Sequence, residues 1–225
     1  MTLLEFARGP GLWASIIILV AGTLWRIAAI YRFKVKPDLS EPRGGSTVAG
    51  ALNTIIARML PRNEFGYTAT LTSVNGYIYH IGLAIVVFLY LPHMFFIDRL
   101  TGLSWPVPPV WVFYAAVALT FVSMLIAIIY RITDPVRSML SGFDDYFSWA
   151  VVFLPLLTGM AALGNPLPKS PVPETPLYPG PLTVHLLSVE LLLIWLPFGK
   201  LAHTFLVFFS RGMTGAAFAR RGART

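Results

Sequence analysis

The chain has 225 residues, of which 56% are hydrophobic and 12% charged, with a mean hydropathy of +0.70 and a net charge of +7. No soluble surface tolerates that apolar fraction, so the composition excludes a water-soluble domain and predicts an integral membrane protein. There is no cysteine, which excludes disulfides, covalent CxxCH attachment of haem and iron–sulfur clusters ligated by this chain itself. The basic residues lie in short segments beside apolar runs rather than in one basic stripe, a pattern that predicts membrane orientation and no nucleic-acid binding.

The first apolar run extends from Gly11 to about Tyr31 and is interrupted only by Arg26, near its end, where the side chain reaches the headgroups. Arg8 and Glu5 precede it and no small-residue cleavage site follows, so it reads as a retained span rather than a signal peptide. Residues 32–73 read as a cytoplasmic loop, with KVKPDLSEPRGGS irregular and VAGALNTIIARML too short to span and therefore interfacial or facing a partner. A second span is expected from about Val74 to Ile97, a third from Val110 to Tyr130 and a fourth from Tyr146 to Leu163, kinked at Pro155. The stretch RITDPVRSMLSGFDD between the last two reads as a loop. Residues 165–181 are dense in proline and read as an extended outer loop. A fifth span, from about Leu182 to Phe209, is roughly 28 residues long and implies tilt or projection beyond the bilayer.

Five spans place the termini on opposite sides. The first and third loops with the C-terminal end of the chain hold 14 of the 17 Lys and Arg residues, whereas the other side holds Arg8, Arg99 and Lys169. The positive-inside rule then puts the N-terminus outside and the C-terminus in the cytoplasm. The expected fold is an all-α integral membrane protein, one five-helix domain over residues 1–225.

The four histidines fall on two of these spans: His80 and His93 on the second, His185 and His203 on the fifth. Because the two spans run antiparallel, His80 and His203 share the cytoplasmic level, and His93 and His185 share the outer one. One imidazole from each helix at each level is what two bis-histidine b haems require. The 18 residues from His185 to His203 make about five turns of a continuous helix, placing both rings on one face roughly 27 Å apart. The 13 residues from His80 to His93 leave their side chains roughly 140° apart and about 20 Å along the axis, so Pro92 is expected to bend the helix and re-aim His93. Di-iron or zinc sites are disfavoured, since no carboxylates accompany the histidines at ligand spacing. The plainer alternative is that these histidines hydrogen-bond between helices in a haem-free anchor or transporter component.

In length, span number, topology and histidine placement the chain resembles the gamma subunit of respiratory nitrate reductase and the related membrane cytochromes b of sulfur-metabolising complexes of the Dsr type. The resemblance is strongest in the fifth span, where HLL at His185 is followed by LPFGKLAH ending at His203, and in His80-Ile81-Gly82. It departs where the nitrate reductase pattern has a histidine ten residues after the first: Tyr90 stands there, and His93 comes three residues later. The resemblance implies pairing of His80 with His203 and of His93 with His185 on two b haems, with iron as the bound metal. It also implies a subunit of a respiratory redox complex in a bacterial or archaeal cytoplasmic membrane, transferring electrons between quinone or quinol and a cytoplasmic iron–sulfur partner subunit. Haem propionates need cationic neighbours, for which Arg62, Lys200 and Arg211 are inner candidates and Arg99 an outer one. Glu190, an acid inside the fifth span, is a candidate for proton exchange at a quinone site.

Overall fold

A computed structural model describes residues 1–32, 39, 41–59, 66–163 and 179–223, the side chains of 66–69 excepted. The chain starts with a short helix, α1 (Leu3–Arg8), closed at its N-terminus by a capping box in which the Thr2 hydroxyl accepts from the Glu5 N–H and the Glu5 carboxylate accepts from the Thr2 N–H. Gly9 breaks it, and Pro10, whose missing N–H costs nothing in a first turn, opens α2 (Pro10–Arg32). Trp13, Ile17, Val20 and Leu24 recur at helical spacing along α2, and all four are exposed. The residues α2 buries are instead small: Gly11, Ser15 and Gly22. An apolar face turned outward and small residues turned inward is the arrangement that lipid, not water, stabilises.

The segment expected to be interfacial is α3 (Thr47–Ala57), capped by the Ser46 hydroxyl. The second span departs from expectation at both ends. α4 (Gly66–Leu89) begins eight residues before Val74 and stops at Tyr90, which is extended, with φ −80° and ψ 126°. A separate helix, α5 (Leu91–Thr101), carries Pro92 in its first turn and ends at Gly102, whose φ of 72° is the left-handed conformation that favours glycine. Pro92 cannot donate to the carbonyl of Phe88; the indole N–H of Trp105 does so instead, at 2.8 Å.

The third span, α6 (Val110–Thr133), leads through the Asp134-capped α7 (Pro135–Met139) to α8 (Phe143–Ala162). Asp144 and Asp145, expected in the loop, lie in the first turn of α8, where acidic side chains complement the helix dipole. Of the proline-dense segment, residues 165–178 lie outside the described residues, and Pro179 to Pro181 are already helical, opening α9 (Pro179–Trp195).

The largest correction concerns the fifth span. It is not one long helix: α9 ends at Trp195, Pro197 cannot continue the ladder, and a 3-10 turn at Lys200–Ala202 leads into α10 (His203–Arg220) at an angle of 75°. The same-face argument for His185 and His203 on a continuous helix therefore fails. Past the bend, α10 packs along α3, so closely that a Cβ on Gly50 would meet the Gly215 carbonyl at 2.8 Å.

In the bundle, α4 packs on α6, α9 packs on α8 and α2, and α6 meets α8. The core between α6 and α8 is Phe113, Val117, Met124 and Leu156, with Tyr79, Val86 and Tyr90 of the second span packed against it. At the α4–α6 crossing a Cβ on Gly82 would overlap the Thr120 hydroxyl.

Candidate functional site: two facing histidine pairs

The rings of His80 and His203 stand with centroids 6.0 Å apart and planes 85° apart, and those of His93 and His185 with centroids 6.1 Å apart and planes 14° apart. Each pair draws one ring from the α4–α5 segment and one from the α9–α10 segment.

The breaks create these pairs. His203 reaches His80 because α9 has ended and α10 starts with His203 as its first residue. His93 reaches His185 because the chain breaks at Tyr90 and resumes as α5, removing the roughly 140° mismatch that an unbroken helix would impose. Tyr90, in the place of the expected histidine, takes no part in the pair's opening: its ring stacks on Phe113 at 4.3 Å and meets His93 edge-on at 5.2 Å.

All four imidazoles are held by the same nitrogen. His80 Nδ1 lies 2.7 Å from the Gly76 carbonyl, His93 Nδ1 2.9 Å from the Val86 carbonyl, and His203 Nδ1 2.8 Å from the Lys200 carbonyl. His185 Nδ1 lies 3.3 Å from the Thr158 hydroxyl, which itself donates to the Leu154 carbonyl at 2.7 Å and so accepts from the ring. A carbonyl only accepts, so Nδ1 carries the proton and Nε2 keeps its lone pair, the tautomer a metal ligand needs. Gly159 gives His185 its space: a Cβ there would come within 3.1 Å of the ring.

Among the described residues no three His, Cys, Asp or Glu side chains converge on one point. Each pair presents two imidazole nitrogens of this tautomer.

The other residues singled out in the sequence are placed as follows. Lys200 is committed to Asp145, Nζ to Oδ2 2.5 Å, and Arg131 binds the other carboxylate oxygen at 2.7 Å. Arg211 lies on α10, eight residues beyond His203, and Arg99 is in the last turn of α5, six residues beyond His93. Arg62 lies outside the described residues. Glu190 is buried, 6% exposed, but on the side of α9 that faces α1 and α2; a Cβ on Gly11 would fall 2.8 Å from one of its oxygens. The structure does not bring Glu190 to either histidine pair. Sequence reasoning missed Asp144, Asp145 and Arg131; the signal was two adjacent acids opening an apolar run, a position where an unpaired charge is costly.

Four helical stretches, 3–32, 70–89, 110–133 and 143–162, are long and apolar enough to cross a bilayer, and the bent α9–α10 pair makes a fifth when counted as one span. The chain is a multi-pass helical membrane protein. It is 28% identical over 226 residues to a protein of the bacterium Nitratidesulfovibrio vulgaris (strain Hildenborough), an alignment covering 98% of this chain and 96% of the other. No family model and no solved structure matches it.

Proposed function

We propose that the protein is the di-haem b membrane subunit of a respiratory redox complex, carrying electrons between the quinone pool and a cytoplasmic iron–sulfur partner subunit. One observation carries this reading: two pairs of facing imidazoles, all four tied at Nδ1 and free at Nε2. A metal–imidazole bond of about 2.0 Å puts a ring centre roughly 3 Å from the metal, so two imidazoles sharing one iron would have centres about 6 Å apart. The separations of 6.0 and 6.1 Å fit that requirement.

His80 and His203 would hold the inner haem, and His93 and His185 the outer one. When bound, haem supplies reversible one-electron storage at each level. The chain's part is to fix ring orientation through the Nδ1 bonds, to keep the surroundings apolar and to seat two carriers at different depths. A quinol oxidised near the outer pair would give up two electrons and two protons, or a quinone reduced there would take them up, with the electrons exchanged one at a time with the cytoplasmic partner. The absence of cysteine from the chain makes that partner the holder of any iron–sulfur relay. Glu190, buried against Gly11 and away from both pairs, is the candidate for proton exchange at a quinone site.

Reduced-minus-oxidised spectra of the purified protein test the reading. A b-type α-band is expected, halved in H203A and abolished in the H203A/H93A double variant. A protein without any such band would be the haem-free anchor or transporter component instead.

A further inference from the structure

The bend between α9 and α10 is held by two carboxylates from another helix, and the residue they hold is the one that orients His203. Asp144 Oδ1 accepts the backbone N–H of Lys200 at 3.2 Å, and Asp145 Oδ2 accepts the Lys200 ammonium at 2.5 Å. The carbonyl of that same Lys200 takes the Nδ1 proton of His203 at 2.8 Å. Lys200 is thus gripped at its amide and its ammonium by α8, while its carbonyl fixes the ring.

Both acids are themselves fixed. Asp145 receives the Gly142 N–H at 3.0 Å and the Arg131 guanidinium at 2.7 Å, so its charge is balanced by cations from α6 and from the bend. Asp144 receives the Ser148 hydroxyl at 2.8 Å, and Ser148 in turn receives the Trp195 indole N–H at 2.9 Å, tying down the last residue of α9. Gly199 lets these groups close: a Cβ there would lie 2.8 Å from Asp144 Oδ1 and would overlap the Trp195 indole.

We propose that Asp144 and Asp145 are positioning residues for the inner metal site, acting on His203 through Lys200; this rests on the haem reading above. Asp144 acts electronically as well as sterically. Its carboxylate, held on the Lys200 N–H beside the turn whose carbonyl binds His203, lowers the local potential through space and so favours the more positively charged, oxidised metal. Asp145 acts on geometry, by anchoring the turn that sets the ring's angle.

The test is a potentiometric titration with parallel electron paramagnetic resonance spectra of the full-length protein and of its D144N, D145N and D145E variants. D144N, isosteric and still able to accept from the Lys200 N–H, is expected to retain both haems and to move one midpoint, the one lost in H203A, to higher potential. D145N is expected to shift the resonance of that same haem, with D145E restoring it. A purely structural role would lower haem content at both sites without moving one midpoint alone. Wild-type midpoints and signals in D144N and D145N, or equal shifts at both haems, overturn the proposal while leaving the haem reading intact. A wild-type protein without haem overturns both. Should D145N fail to accumulate, D144N decides alone.

Discussion

The ring of His203 stands nearly perpendicular to that of His80, with 85° between the planes, across a centroid separation of 6.0 Å. The other pair is close to parallel, at 14°. Perpendicular axial imidazoles leave the two iron d orbitals that accept their π-density nearly equal in energy; parallel ones separate them. If the proposed haems are bound, the oxidised protein is therefore expected to give two distinct low-spin signals, a highly anisotropic one lost in H203A and a rhombic one lost in H93A. A single type of signal at both sites would show that the rings rotate on binding.

Pro92 is expected to be essential to the outer pair alone. P92A restores an N–H to the Phe88 carbonyl, which the Trp105 indole now occupies at 2.8 Å, and lets α4 continue through Tyr90. A continuous helix turns His93 roughly 140° from the side that His80 faces. The measurement is haem content: P92A should lose about half, all of it outer, while the inner signal persists.

Gly159 makes the complementary prediction from the facing helix. A Cβ at this position would sit 3.1 Å from the His185 ring, tight enough that the ring must yield. The β-branched G159V should abolish outer-haem binding and leave the inner midpoint unchanged; retention of both haems would mean that α8 and α9 separate at little cost.

Gly82 concerns stability rather than occupancy of one site. A Cβ there would overlap the Thr120 hydroxyl and come within 3.2 Å of the Ala116 carbonyl, a backbone atom with little room to move. G82A should destabilise the α4–α6 pair by about 1–3 kcal/mol, the usual cost of overpacking, read as a lower thermal midpoint in detergent. G159A, against a side chain that can shift, should cost less.

Much of this molecule was legible in its sequence for local reasons. Apolar runs such as Val110 to Tyr130 declare spans because length and composition decide solubility in lipid residue by residue. The assignment of His80 and His203 to one level, and of His93 and His185 to the other, followed from counting spans and basic residues. What counting could not supply was direction. The argument from 18 residues and five turns for His185 and His203 assumed a continuous helix, and the chain bends by 75° between them. Tyr90 and Pro197 mark the two breaks, but whether a proline kinks a helix or ends it depends on what satisfies the freed backbone groups, as Trp105 does for Phe88.

The membrane character and the long apolar helices were thus determined by the sequence itself, since each depends on composition and length. Which rings face one another, at what angle, and through which held backbone atoms was decided only by the tertiary structure. Asp144 and Asp145 show why: they meet Lys200 across some 55 intervening positions, a contact that no local periodicity encodes and that exists only once α8 and α9 have packed.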